Sequence, residues 1–418
     1  MAHRLVFVGR SSREFLRRYR SRLRQLRDEG FEVLLFAGDD CDQQEWTKEG
    51  IVFQALPVKN PHNAAGLLGA YFILQGAFLE EPPLLVHVFG HRLSWLVALA
   101  AKQAEVKALI TTMEYHWVEE RPVHLPKIPY FGKSLLPKVG GVESYLNRVI
   151  GPLFRQTMEE RYRWLGEQVD RYIVTNRFDE RLVRDLDLVD EDKLQLLSGG
   201  PGVIAQRARD VESRKESRDL LGLQKSWRIL FGWTGELVGR HGGEALLSLI
   251  ASVSRSNPEV GWVIGTKGRR WSTLWSRLKS FEARGIVKII DEPTLGQEDL
   301  LYKSLDALIW LGSPSTPLDP VLEAGAFGVP TVGYESPAAR EVLRQNETGL
   351  LVLEEDLDAL TKSVQSLLLE PGKLKNLSER VSRDLALRFA RYDRDEQVLK
   401  LYAELLREKL GAGPITTL

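Results

Sequence analysis

Apolar runs of strand length recur along the chain, separated by stretches in which apolar residues return every three or four positions. Arg4–Gly9 (RLVFVG) is the first such run and predicts a strand. Ser11 or Ser12 then suits the cap of a helix reaching to about Glu29, with Phe15, Leu16, Tyr19, Leu23 and Leu26 on one face. Gly30 closes that helix and FEVLLFAG follows, so the chain opens as strand, helix, strand. The alternation continues with a strand at Leu84–Phe89, a helix over about Ser94–Gln103 and the strand KALITT. Helical spacing returns over Tyr145–Gln168, followed by strands at Asp170–Asn176 and Leu194–Leu197. Ser198-Gly199-Gly200-Pro201-Gly202 breaks the pattern. After a charged segment, Gln206–Lys225, with a short helix closed by Gly222, the alternation resumes. Arg228–Gly232, GWVIG, Ile286–Asp291 and LDALIWLG read as strands, and Gln297–Ser304 as a helix. From Leu357 to Leu410 the chain is helical, with a break near Tyr392-Asp393. Strands that alternate with helices predict parallel α/β sheets.

The stretch Ser313–Val332, SPSTPLDPVLEAGAFGVPTV, carries the clearest local signals. It lies between two apolar runs. Asp319 suits the N-cap of a helix, and Pro320 the first helical position, where a missing N–H costs nothing. Gly328 suits the left-handed residue that closes the helix, and Pro330 stops it from resuming. Ligands of parallel sheets bind at the carboxyl ends of strands, beside helix N-termini. Glu323 falls about one turn into this helix, on the ligand side.

Composition narrows the function classes. A chain of 418 residues predicts two or three domains, and a net charge of zero gives no field for nucleic acid. One cysteine, Cys41, excludes an internal disulfide and a zinc site built on several cysteines, and a reducing compartment is the simple reading. No run approaches the roughly 18 apolar residues of a membrane span, and the N-terminus enters a strand pattern without a signal peptide. The expected localisation is cytoplasmic, with peripheral contact at a membrane as an option. No G-x-G-x-x-G follows the first strand, which argues against a Rossmann dinucleotide site. His87 and His91 straddle a strand end, so they form no helical metal pair, and His87 reads as a core or rim residue. Two further features carry a bland and a functional reading each. Arg13, Arg17, Arg20, Arg24 and Arg27 share one helix face, either solvated or turned to an anionic lipid or acceptor. The proline-, lysine- and aromatic-bearing segment 119–142 is either a surface loop or an acceptor lid.

Glu323-Ala324, Ala326, Gly328-Val329-Pro330 and Val332 resemble the signature of the family 4 glycosyltransferases, retaining enzymes of the GT-B fold. Asn346–Val352 (NETGLLV) is similar to that family's N-x-x-G-x-L-V. The resemblance implies an α/β chain of two doubly wound Rossmann-like domains with an interdomain cleft. Residues 1–203 would form the N-terminal, acceptor-side domain, joined by a returning helix at 392–418. Residues 204–391 would form the nucleotide-sugar side. It also implies transfer from a nucleotide sugar with retention, to a glycan or lipid-linked acceptor, with no metal and no cofactor beyond the donor as substrate. Nucleic acid is not expected as a partner. Glu323 would hold the donor ribose, and Gly235, Glu236, Arg240, His241 and Lys267 would lie along the diphosphate. His116 and Ser315 stand at or near the positions expected to act at the donor sugar.

Four of those positions depart from the family's pattern. Met113 stands where a histidine is expected, with His116 three places on, and Glu236 replaces an arginine at the diphosphate. Ser315 replaces a glutamate at the donor sugar, and Pro337-Ala338 replace two glycines. A carboxylate facing a diphosphate is repulsive. The departures predict weak donor affinity and slow turnover. The alternative reading is a pseudo-glycosyltransferase, a binding or scaffold subunit that keeps the fold without the chemistry.

Overall fold

The computed structural model describes residues 3–41, 43–58, 64–113, 158–198, 213–235, 237, 242–266, 272–312, 316 and 318–410. The chain divides into two units, Met1–Leu197 with Val398–Leu418, and Ser198–Gln397.

In the first unit the elements run β1 (Arg4–Val8), α1 (Ser12–Arg18), α2 (Arg20–Asp28), β2 (Glu32–Gly38), α3 (Gln43–Lys48), β3 (Val52–Leu56) and α4 (Ala64–Glu80). They continue as β4 (Leu85–Phe89), α5 (His91–Gln103), β5 (Ala108–Met113), α6 (Met158–Gln168), β6 (Arg171–Val174), α7 (Arg177–Asp185) and β7 (Leu194–Leu196). The strands form one sheet of 7 in the order β3-β2-β1-β4-β5-β6-β7, and neighbouring strands are parallel. The central strands, Leu5–Val8, Val86–Val88 and Leu109–Ile110, are buried on both faces, which is why they read as continuous apolar runs. One face is covered by α4, α5 and α6, through residues such as Tyr71, Leu74, Val97 and Leu165. The other is covered by Phe15, Tyr19, Leu23 and Leu26 of α1 and α2, and by Trp46 of α3.

The second unit runs α8 (Arg214–Leu220), β8 (Ile229–Gly235), α9 (Gly243–Ser256), β9 (Val260–Thr266), α10 (Thr273–Ala283), β10 (Val287–Asp291), α11 (Leu295–Ser304) and β11 (Ala307–Trp310). It ends with α12 (Asp319–Ala326), β12 (Thr331–Tyr334), α13 (Pro337–Val342), β13 (Gly349–Val352), α14 (Leu357–Leu369), α15 (Pro371–Arg388) and the start of α16 (Arg391–Leu410). Its parallel sheet has 6 strands in the order β10-β9-β8-β11-β12-β13. Here α9, α10 and α14 pack on one face and α11, α12 and α15 on the other. From Val398 onward α16 belongs to the first unit, where Val398, Leu401, Tyr402, Leu405 and Leu406 complete the core over β1.

Several local expectations are corrected. The helix expected from Ser11 to Glu29 is two helices meeting at Tyr19, whose ψ of 0 leaves the helical range. Tyr19 packs there on Phe89, with ring centroids 4.5 Å apart, so tertiary packing overrides a continuous periodicity. The C-terminal helical stretch breaks at Glu370 and again at Phe389, and not at Tyr392-Asp393. Phe389 leaves the helix at φ −130 and is held between the guanidiniums of Arg388 and Arg394, 4.7 and 5.1 Å from its ring centroid. Two arginines of the expected face, Arg20 and Arg24 of α2, form an ion-pair seat for Glu49. Arg20 Nε donates to Glu49 Oε1 at 2.7 Å and Arg24 Nη2 to the same oxygen at 2.8 Å, while Arg27 pairs with Asp28. Burial pushes the Glu49 carboxyl up, but Arg24 and Arg20 outweigh it and hold the group below its usual range. Segment 119–142 lies outside the described residues.

Candidate functional site

A parallel sheet offers its ligand crevice where the strand order reverses, because connections on the two sides leave to opposite faces. In the second unit that point lies between β8 and β11. The chain leaves β8 for α9 on one face, and leaves β11 for α12 on the other. Two short strand pairings, Ala307 with Phe231 and Leu308 with Gly232, hold β8 and β11 in register below the crevice.

Glycines shape its rim. Gly242 caps α9 in the left-handed conformation, φ 78, and a Cβ there would sit 2.4 Å from Leu311 Cβ. The first turn of α9, with its unpaired N–H groups, is therefore pressed against the residue that follows β11. Gly235 ends β8 at φ 147, a conformation closed to L side chains, and leaves its backbone exposed at the strand end. After β11, a Cβ on Gly312 would meet Thr316 Cβ at 2.5 Å, so only a glycine there leaves room for Thr316.

α12 begins at Asp319 with Leu318 at the cap position and no side-chain cap. The cap is thus one residue earlier than the sequence suggests. Asp319 lies in the first turn, where its charge complements the helix dipole, and Pro320 stays where a missing N–H is tolerated. The other end agrees with expectation. Gly328 is left-handed at φ 74, Gly328 N–H donates to Gly325 O at 3.0 Å, and Val329 N–H donates to Ala324 O at 2.9 Å. These two bonds form a Schellman motif. α12 is short, and Glu323 is buried within it at 4% exposure. A carboxylate at that depth costs free energy unless polar partners compensate it.

Gly235 and Glu323 thus stand on the two elements that flank the crevice, the end of β8 and the helix after β11. Glu236, Arg240, His241 and Lys267, expected along a diphosphate, lie outside the described residues, as do His116 and Ser315. Met113 ends β5 with 1% exposure, packed in the apolar core, so that position offers no polar group. Pro337-Ala338 open α13, capped by Ser336, whose Oγ accepts the Ala339 N–H at 3.1 Å. The two positions therefore serve a helix start and not an open glycine turn.

Residues that the sequence reading did not single out also shape the strand ends. Asp40, after β2, accepts the hydroxyls of Ser11 and Ser12 at 2.6 and 2.9 Å and the Arg13 N–H at 3.1 Å, fixing the turn after β1. Thr266, at the carboxyl end of β9, is 1% exposed, and among the described residues its hydroxyl has no hydrogen-bond partner. The acidic run after FEVLLFAG was a signal for the first, but nothing local marked the second. Among the described residues no group of three His, Cys, Asp or Glu side chains is placed to hold a metal ion.

Residues 16–200 match the glycosyl transferase 4-like domain, and residues 228–384 match the glycosyl transferases group 1 domain. The two matches between them take in most of the chain, one for each sheet. The chain is a group 1 glycosyltransferase by family. Among curated proteins, none matches by sequence. Solved structures do match. Sucrose-phosphate synthase from Thermosynechococcus elongatus superposes with a TM-score of 0.71 at 14% identity, covering 97% of this chain and 100% of that one. HepE from Anabaena in complex with UDP-glucose gives 0.69 at 12% identity, covering 96% and 99%. A glycosyltransferase from Rickettsia africae gives 0.67 at 13% identity, covering 97% and 99%. At such identities the likeness establishes the fold: two parallel-sheet α/β units of 7 and 6 strands, as in GT-B glycosyltransferases.

Proposed function

We propose that this glycosyltransferase takes a sugar from a nucleoside diphosphate sugar and transfers it, with retention, to a glycan or lipid-linked acceptor. The observation that carries the reading is Glu323, a buried carboxylate beside the crevice at the point where the strand order reverses. A vicinal pair of ribose hydroxyls supplies two O–H donors, and a carboxylate supplies two acceptors in matching geometry. The complex of HepE with UDP-glucose supports a nucleotide sugar as the donor class.

On this reading Glu323 accepts from the ribose and sets the register of the donor. Gly235 and the first turn of α9 let backbone approach the diphosphate, and helix N–H groups favour the negative charge. Arg240, His241 and Lys267, close in sequence to Gly235, Gly242 and Thr266, would stabilise the leaving diphosphate. Glu236 opposes them, so donor binding is weak and turnover slow.

Calorimetry with a panel of UDP-, GDP- and ADP-sugars tests the proposal. At least one binds the unmodified chain, and Glu323→Ala weakens that binding by about 1–3 kcal/mol, the cost of losing charge-assisted hydrogen bonds. Unchanged affinity in a folded Glu323→Ala variant contradicts the ribose role. Binding of a sugar nucleotide without any transfer would favour the scaffold alternative.

A further inference from the structure

In the first unit, one buried histidine joins the C-terminal helix to the end of a central strand. His87 of β4 contacts the Tyr402 hydroxyl of α16 through Nδ1 and the Thr112 hydroxyl of β5 through Nε2, the latter at 2.7 Å. His87 and Tyr402 are fully buried and Thr112 is nearly so. The imidazole stacks on Phe89 with centroids 4.1 Å apart, and Phe89 packs in turn on Phe15 and Tyr19, where α1 and α2 meet. Thr112 O accepts the Gly90 N–H at 3.0 Å, so the carboxyl ends of β4 and β5 are tied at the same residue. The chain then passes Met113 towards His116, the position expected near the donor sugar.

We propose that His87 is a positioning residue: its neutral imidazole couples the seating of α16 to the placement of the carboxyl end of β5. The consequence for turnover rests on the transferase reading above, whereas the coupling itself does not. A neutral imidazole has one N–H and one lone pair, and a hydroxyl can give or take, so either tautomer satisfies both neighbours. An imidazolium would put a charge into a site closed to solvent, where His87 and Tyr402 are fully buried. The groups around the ring are the Tyr402 phenol from α16, the Thr112 hydroxyl from β5, the Phe7 and Phe89 rings from β1 and β4, and the Arg22 guanidinium from α2. Burial first, and Arg22 second, hold the imidazole well below its usual range. The unfolded chain takes up this proton near the ordinary value of 6.5 and the folded chain does not. The stabilisation is therefore complete above about pH 6.5 and is lost as pH falls below it, towards the depressed folded value. At the far end of α16, Glu408 pairs with Arg171 at 2.6 Å and Lys409 with Asp170.

Amide hydrogen exchange on the full chain, corrected for intrinsic rates, tests the coupling. Between about pH 7.5 and pH 5.5, residues 399–406 of α16 and 110–113 of β5 lose about tenfold protection relative to residues 33–37 of β2 in the same sheet. His87→Gln keeps an amide near Thr112 and His87→Asn keeps one near Tyr402; neither titrates, and both abolish the pH step. Tyr402→Phe at about pH 7.5 raises exchange in α16 and at the β5 end together. The proposal is overturned if the step persists in His87→Gln, or if Tyr402→Phe loosens α16 and leaves the β5 end unchanged. With sugar transfer as a second readout, Tyr402→Phe lowers kcat while KM for the donor holds; a change in KM alone contradicts positioning at β5. The exchange arms need no donor, so they judge the coupling even if transfer fails.

Discussion

Glu323 and Glu236 illustrate opposite uses of a carboxylate near one crevice. Glu323 is buried in α12, where hydroxyl donors of a ribose would suit it. Glu236 follows directly on Gly235 at the end of β8, beside the strand end where a diphosphate is proposed to lie. If it faces that group, Glu236→Arg removes a repulsion and adds a bidentate donor. UDP or GDP binding then tightens by about 1–3 kcal/mol, the worth of a hydrogen bond to a charged group. Calorimetry decides it: unchanged or weaker binding places Glu236 away from the diphosphate. At this scale the sequence made Glu323 legible because local motif residues surround it. The Glu49 seat was not legible. Arg20 and Arg24 meet Glu49 across more than twenty intervening residues, and periodicity alone cannot supply a partner so distant in sequence.

Single elements were legible where their ends carry their own chemistry. Gly328 closed α12 as expected, because only a residue at ease with positive φ completes a Schellman motif. Gly328→Ala keeps its nearest neighbour at an ordinary 3.6 Å, so its cost is backbone strain alone. Urea unfolding should show a loss of about 1 kcal/mol, with donor affinity unchanged. Gly333→Ala differs in kind. Its Cβ would lie 2.0 Å from Trp310 O, and backbone cannot yield as a side-chain tip does. The carboxyl ends of β11 and β12 must separate, with a loss of about 1–3 kcal/mol and weaker donor binding. A Gly333→Ala variant with unaltered stability and affinity would show that this edge is not rigid. The junction at Tyr19 was hidden, since the apolar face of α1 and α2 is continuous and the packing of Tyr19 on Phe89 joins residues far apart in sequence. The start of α12 was misplaced by one residue for a related reason: Asp serves equally at the cap and in the first turn.

For the molecule as a whole, alternation of strand and helix predicted parallel sheets, the resemblance to the GT-B fold divided them into two, and the 7- and 6-stranded sheets agree. No helix among the described residues is long and apolar enough to cross a membrane. The last helix is part of a core and not an appendage. Removing the chain after Gln397 deletes Val398, Leu399, Leu401, Tyr402, Leu405 and Leu406, all buried. At about 1.5–3 kcal/mol for each large apolar side chain, the loss is comparable to the whole stability of an ordinary domain, about 5–15 kcal/mol. Circular dichroism of the truncated chain should show the first unit without a cooperative melt. A melt like that of the full chain would mean that the core over β1 closes without α16.

The central claim is sugar transfer from a nucleotide donor with retention. Incubating the full chain with the sugar nucleotide that calorimetry selects, and following the anomeric proton of the transferred sugar by NMR, tests it most directly. The account predicts a product with the donor's anomeric configuration, formed more slowly than about 1 per second, and more slowly still by Glu323→Ala. An inverted product, or a donor consumed at the same rate by Glu323→Ala, would contradict it.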